Sequence, residues 1–116
     1  WSLGAAMGAQ LAYPQRQVVN LLGDASLGMS LEELAKAVKH DIPVVIVVFR
    51  KELEFATAAR GIGVQAEFVE QPEQITGALT RAFSAYRPYL IEILIDSDAQ
   101  RSVSMNGTRS GVREVS

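Results

Sequence analysis

The strand–helix–strand pattern of residues 17–49 constrains the fold of this chain more than any other feature. Gln17–Leu22 is apolar almost throughout, and Val44–Phe49 is β-branched and uncharged. Such runs are typical of strands that are buried on both faces of a parallel sheet. Between them, Ser30 and Glu33 have the spacing of a capping box, which predicts a helix that begins after Ser30. We therefore expect a β-α-β unit with Val44–Phe49 near the centre of a sheet.

The other segments continue this alternation. Helices are predicted over residues 3–13 and 52–60 and after Pro72, and strands over Val64–Val69, nearer the sheet edge, and over Tyr89–Ile95. The alternation predicts an α/β fold, here a three-layer αβα arrangement with a mainly parallel sheet of about four strands. Residues 1–96 form the predicted domain. Residues 97–116, rich in Ser, Arg and Gly without periodicity, form a predicted irregular tail.

The composition excludes several functional classes. The chain has 116 residues, 48% hydrophobic and 21% charged, which is the balance of one small globular domain. A net charge of −2 gives no electrostatic basis for binding nucleic acid. No apolar run approaches a membrane span, and the lack of cysteine favours a reducing, cytoplasmic location. The first helix begins without a cap of its own, so we expect the chain to be part of something larger.

The sequence Gly23-Asp24-Ala25-Ser26 follows the first predicted strand. In open parallel sheets, ligands bind beyond the carboxyl ends of the strands. Glycine permits a tight turn, and the Asp24 carboxylate suits magnesium. The amides of Ala25, Ser26 and Leu27 could hold a phosphate near the start of the next helix. Gly-Asp is also a common turn in which the aspartate bonds its own backbone, and the dipeptide alone favours this interpretation. This short motif leaves both interpretations open.

The wider sequence resembles the C-terminal diphosphate-binding domain of thiamine diphosphate-dependent enzymes of the acetolactate synthase and decarboxylase type. That family has a Gly-Asp-Gly triplet, a gap and then Asn-Asn. Here Gly23-Asp24-Ala25 stands for the triplet, residues 26–49 fill the gap, and Arg50-Lys51 occupy the position of the two asparagines. Over residues 1–96 the flanking segments follow in the family's order. The amino-acid sequence of residues 30–49 is similar to that of sulfoacetaldehyde acetyltransferases.

The resemblance implies an incomplete thiamine diphosphate-binding fold with thiamine diphosphate and Mg²⁺ as cofactors. Asp24 would ligand the magnesium, and Gly23, Ala25 and Ser26 would lie against the diphosphate. Met29 would line the edge of the cofactor, although its spacing to Leu34 also fits a hydrophobic staple around the helix start. No residue of this chain is assigned a catalytic role. The implied reaction makes or breaks a carbon–carbon bond next to a carbonyl of a small-molecule substrate.

The chain departs from the family at Arg50-Lys51. Both side chains only donate hydrogen bonds, so neither can ligand magnesium as an asparagine oxygen does. A loop of roughly two dozen residues that covers the cofactor in the family is also absent between Arg50 and Glu52. Either the loop is deleted in this protein or the sequence is incomplete at that point.

Three hypotheses follow. In the first, the chain is the thiamine diphosphate- and magnesium-binding domain of a homo-oligomeric enzyme. It would be inactive alone, because the pyrimidine-binding domain or subunit is missing. In the second, it is a non-catalytic binding or interaction module that has lost the metal site, with Arg50 and Lys51 meeting an anion directly. In the third, it is a folded piece that self-associates through the helix face bearing Gly4 and Gly8.

Overall fold

The computed structural model describes residues 2–23, 27, 31–50 and 55–95 of the chain. Within these ranges the helices are α1 (Ser2–Ala12), α2 (Leu31–Lys39), α3 (Ala56–Ile62) and α4 (Ile75–Ala85), the last preceded by a 3-10 turn at Pro72–Gln74. The strands are β1 (Val19–Gly23), β2 (Val45–Arg50), β3 (Gln65–Val69) and β4 (Tyr89–Leu94). The predicted alternation of strands and helices is therefore confirmed.

The four strands form one parallel sheet in the order β1-β2-β4-β3. The register places Gly23 level with Phe49, and Arg50 level with Leu94. The carboxyl ends of β1, β2 and β4 therefore meet at one edge of the sheet. The central position of β2 and the edge position of β3 are both as predicted.

Helices cover both faces of the sheet, which confirms the three-layer arrangement. Helices α1, α2 and α3 pack on one face, and α4 packs on the other over β3 and β4. The first face buries a cluster that includes Leu3, Leu34, Ile46, Val48, Ala59 and Leu90. The second buries a smaller cluster that includes Val45, Val47, Ala78, Ala82 and Ile91.

The prediction that the first strand is buried on both faces is wrong for the described residues. Asn20 and Leu22 are buried under the α1–α3 layer, but Val19 is 40% and Leu21 63% exposed. These two side chains share the face of Val45 and Val47, where α4 lies over β3 and β4 and does not reach β1. The apolar sequence of β1 is typical of a strand that is buried on both faces, but the face that bears Val19 and Leu21 is exposed.

The turn predicted over residues 23–28 lies largely outside the described residues. Gly23 is the last residue of β1, and Leu27 is helical and completely buried. Asp24, Ala25, Ser26, Met29 and Ser30, with the predicted capping box and staple, are not among the described residues, and neither is the tail. No helix in the described ranges is both long and apolar enough to cross a membrane.

Two glycines of α3 and its cap provide a test of this packing. Gly63 has φ +103°, and a Cβ added there would lie 3.3 Å from Val38 Cγ1 of α2. We expect Gly63→Ala to lower the free energy of unfolding by about 1–2 kcal/mol, because alanine is strained in the left-handed region. Urea unfolding of the full chain measures this change.

The matched control is Gly61→Ala, two residues earlier within α3, where an added Cβ meets nothing within 4 Å. Alanine is the better helix former, so this change should raise the free energy of unfolding by about 0.5–1 kcal/mol. Equal effects of the two substitutions would contradict the described end of α3.

Candidate functional site

The carboxyl edge of the sheet is open where β1 ends. Gly23 is exposed, and a Cβ built on it would meet no described heavy atom within 4 Å. Asp24 follows Gly23 directly in the sequence, so the predicted magnesium ligand is attached to the end of this strand. The neighbouring strand ends one position later, at Arg50. In the described part of the chain, no residue covers Gly23 at the end of β1.

A buried ion pair lies at this same edge. Arg50 Nη1 is 3.8 Å from Glu92 Oε2 of β4. The Arg50 guanidinium also lies over the ring of Phe68 in β3, with 5.1 Å between Cζ and the ring centroid. Glu92 is level with Val48 and with Phe68, and Val48 belongs to the cluster under α1–α3. The cation at the end of β2 is thus directed to the α1–α3 face and toward a carboxylate of β4.

The Glu92 carboxylate also holds the start of α3. Its Oε1 accepts a 2.5 Å hydrogen bond from the backbone N–H of Phe55, the residue before the helix. The first N–H groups of a helix lack partners within it, and the helix dipole favours a negative charge there. Glu92 is completely buried, whereas the Arg50 side chain is 21% exposed. One buried acid therefore joins β2, β4 and α3.

The described residues do not by themselves form a metal site. They include no group of three or more His, Cys, Asp or Glu side chains that could hold a metal ion. Arg50 stands where the resemblance expects an asparagine ligand, and its guanidinium can only donate. Asp24, the predicted magnesium ligand, lies outside the described residues.

Sequence reasoning missed Glu92, although its signal was present. It is the one charged residue in the apolar run Tyr89–Ile95, and a charge inside a strand covered on both faces needs a partner. Asn20 was missed in the same way. It is 6% exposed in β1, and its Nδ2 has no hydrogen-bond partner among the described residues.

A second polar cluster lies on the opposite face of the sheet. Glu67 of β3 accepts hydrogen bonds from Arg81 of α4, at 2.6 Å from Nη2 and 3.0 Å from Nε, and another from the Tyr89 hydroxyl. The hydrogen bonds from Arg81 lower the pKa of the Glu67 carboxyl from its ordinary value of 4.5, and Glu67 raises the pKa of Arg81. Burial, followed by the hydrogen bond to Glu67, raises the pKa of Tyr89. This cluster joins α4 to the sheet edge and lies away from the ends of β1 and β2.

Known proteins match this chain over most of its length. Residues 1–52 match the family described as Thiamine pyrophosphate enzyme, C-terminal TPP binding domain. The chain is 32% identical over 117 residues to benzoylformate decarboxylase of Pseudomonas aeruginosa, covering 80% of this chain and 22% of that protein. It is 34% identical over 103 residues to sulfoacetaldehyde acetyltransferase of Castellaniella defragrans, covering 68% of this chain and 17% of that protein.

The fold is also similar to that of a solved thiamine diphosphate-dependent enzyme. The thiamine diphosphate-dependent 4-hydroxybenzoylformate decarboxylase of Rhodococcus jostii RHA1 superposes with a TM-score of 0.77 at 32% identity, covering 82% of this chain and 23% of that one. The parallel sheet and its open carboxyl edge define a ligand-binding α/β domain. More particularly, the chain belongs to the C-terminal TPP-binding domain family of the thiamine pyrophosphate enzymes. It spans about a fifth of the length of these relatives.

The alignments also bear on the absent loop. The match to benzoylformate decarboxylase spans 117 positions but only 80% of the 116 residues of this chain, about 93. That relative therefore has about two dozen residues that this chain lacks within the aligned region. The acetyltransferase alignment gives the same difference, with 103 positions against 68% of the chain, about 79 residues. The size of this difference agrees with the loop that the resemblance implies beyond Arg50.

The Glu67 cluster predicts a specific pH dependence of stability. At pH 7 we expect Glu67→Gln to lower the free energy of unfolding by about 1 kcal/mol, because it removes a charge-assisted pair. The pKa of Glu67 is lower in the folded state, so its stabilising effect is complete above the unfolded-state value of 4.5. The effect is lost as the pH falls through the lowered folded-state pKa.

Urea unfolding of both forms between pH 7 and pH 3 measures this difference. It should be constant at neutral pH and shrink below pH 4.5. A difference in the free energy of unfolding that grows on acidification would contradict the ion pair between Glu67 and Arg81.

Proposed function

We propose that this chain binds thiamine diphosphate together with Mg²⁺ at the carboxyl edge of its sheet. It would serve an enzyme that makes or breaks a carbon–carbon bond next to a carbonyl, of the 2-oxo acid decarboxylase, acetolactate synthase or acyltransferase type. The observation that carries the proposal is the position of Gly23 in a domain of this family. It ends β1 at the open edge, immediately before Asp24.

The proposed role of the chain is to bind and orient the cofactor. Asp24 supplies a carboxylate oxygen to the magnesium, which keeps water and diphosphate oxygens as its other ligands. The backbone after Gly23, at Ala25 and Ser26, approaches the diphosphate, and Met29 lies along the cofactor. When bound, thiamine diphosphate supplies the carbanion chemistry, and the protein supplies position and electrostatics.

The rest of the active site is proposed to come from outside this chain. The described carboxylate near this edge, Glu92, is completely buried and lies beside Arg50, and the relatives are about five times longer than the chain. We propose that a pyrimidine-binding domain or subunit completes the site within a homo-oligomer, and that the chain alone turns nothing over. The exposed apolar face of β1, at Val19 and Leu21, supports a partner that covers it.

The alternative of a metal-free anion-binding module finds less support. It requires Arg50 and Lys51 to meet an anion directly. Arg50 is directed to Glu92 and Phe68 on the α1–α3 face, so its charge already has a partner within the fold.

Calorimetric titration of the full chain with thiamine diphosphate tests the proposed cofactor site. We expect weak binding, with a dissociation constant above about 100 μM, that requires Mg²⁺, because the described residues include no group of side chains that could hold the metal. Asp24→Asn should weaken it at least about tenfold. The matched control is Asp41→Asn, which removes the same charge just before β2, at the opposite edge of the sheet, where φ is +51° and asparagine is well tolerated.

Two results would contradict this account. Binding that ignores chelation of magnesium, or that weakens equally in the Asp24 and Asp41 variants, would remove the proposed role of Asp24. Magnesium-dependent binding with a micromolar dissociation constant would contradict the predicted weak affinity but not the proposed site.

The proposed partner surface is tested by light scattering of the full chain. We expect self-association at high protein concentration that Leu21→Ser reduces, because this residue is 63% exposed on the uncovered face of β1. Leu11→Ser is the matched control. It removes an equally exposed leucine, at 66%, from the α1 face that carries Gly4 and Gly8. A decrease with the Leu11 variant and none with the Leu21 variant would support association through α1 instead.

A further inference from the structure

We propose that Arg60 closes the β3 edge of the sheet to strand pairing between copies of this chain. This inference goes beyond the proposed function, because it concerns the association of the domain and holds whether or not a cofactor binds.

The two outer strands of the sheet differ in charge. In the described part of the chain, β1 and β3 each have one side without a neighbouring strand. Such a side presents backbone N–H and C=O groups to which a strand of another molecule can bind, and charged side chains are a common protection against this pairing. The five residues of β1 are uncharged, whereas β3 carries Glu67 and receives an arginine from each helical layer.

The backbone of Ala66 in β3 faces away from the sheet. Alternate residues of a strand direct their N–H and C=O groups to opposite sides. In β4, the Tyr89 N–H donates to β2, so Leu90 forms its hydrogen bonds with β3. Leu90 is level with Ala66 and bonds to the residues on either side of it. The carbonyl of Ala66 is therefore one of the groups that a further strand would use.

Arg60 occupies this carbonyl. It lies in the last turn of α3, and its Nε and Nη2 donate to the Ala66 oxygen at 3.2 Å and 2.8 Å. A strand that paired here would bring an N–H group to the place where the guanidinium lies. Pairing would therefore have to displace Arg60 and remove water from around its charge, which costs free energy.

The arginine on the other face of β3 does not have this role. Arg81 of α4 donates to the Glu67 carboxylate at 2.6 Å and 3.0 Å, so its described hydrogen bonds go to a side chain. The described contact between a guanidinium and the outward backbone of β3 is that of Arg60. Strand addition is in this way directed away from β3 and toward the uncharged β1.

Sedimentation equilibrium of the full chain tests the inference. The measurement is made in a Leu21→Ser background, which suppresses association through the exposed face of β1. We expect Arg60→Ala to raise the association constant at least about tenfold, because it removes both the charge and the two N–H donors from the edge. The matched control is Lys39→Ala, which removes the same charge from the last turn of α2 and should leave association within about twofold of the background.

Amide hydrogen exchange by NMR locates the new contact. Phe68 is two residues beyond Ala66, so the N–H groups of both face outward. In Arg60→Ala we expect their exchange to slow as the protein concentration rises, whereas in the Lys39→Ala control it should not depend on concentration. Association without slower exchange at these two amides would overturn the inference, because the contact would lie elsewhere.

Circular dichroism and urea unfolding establish that the variants fold. If Arg60→Ala does not fold, Arg60→Met takes its place, because methionine keeps an apolar stem and offers no N–H donor. Lys39→Met is then the control. A folded Arg60 variant that associates no more strongly than its Lys39 control would overturn the inference, since the effect would be one of net charge or of an added apolar side chain.

Discussion

The parallel pairing of β2 with β1 on one side and β4 on the other is the constraint on which the rest of the structure depends. Its register brings Gly23, Arg50 and Leu94 to one edge, where a ligand can reach several strand ends at once. A parallel sheet also needs a helical layer on each face, because its strands are apolar on both sides. Helices α1–α3 pack on one face across the sheet, whereas α4 packs on the other face only over β3 and β4. The open face of β1 and the proposed partner are thus consequences of the same constraint.

A buried carboxylate, Glu92, lies close to the cation at the carboxyl end of β2. Glu92 lies in the strand between β2 and β3, level with Phe68 of β3, and its carboxylate lies 3.8 Å from Arg50 of β2. It also anchors α3, the helix that the chain enters soon after leaving β2. The cation at the end of β2, Arg50, lies 3.8 Å from this carboxylate, so the fold supplies a counter-ion for it. The charge of Arg50 is thus partly balanced by a buried carboxylate of β4.

The sequence predicted the helices and strands and the places of β2 and β3 in the sheet, but not what covers β1 or what Glu92 contacts. Val44–Phe49 was correctly placed at the centre, because an uncharged β-branched run fits only a strand covered on both sides. The same reasoning was wrong for Val19 and Leu21, which are exposed. The apolar side chains of a strand indicate that it can be buried, but they do not show which element covers it. Glu92 was missed because its hydrogen-bond partner Phe55 is 37 residues away, and no local pattern encodes such a contact. The predicted ligands at Asp24, Ala25, Ser26 and Met29 rest on the resemblance and remain predictions.

The central claim is that the cofactor binds where β1 and β2 end. Hydrogen–deuterium exchange of the full chain, with and without thiamine diphosphate and magnesium, tests it most directly. The account predicts slower exchange in peptides that contain Leu22–Leu27 and Phe49–Phe55, and no change at the opposite edge, around Arg16 and Asp41. Protection at the opposite edge alone, with exchange after Gly23 unchanged at saturating ligand, would contradict it.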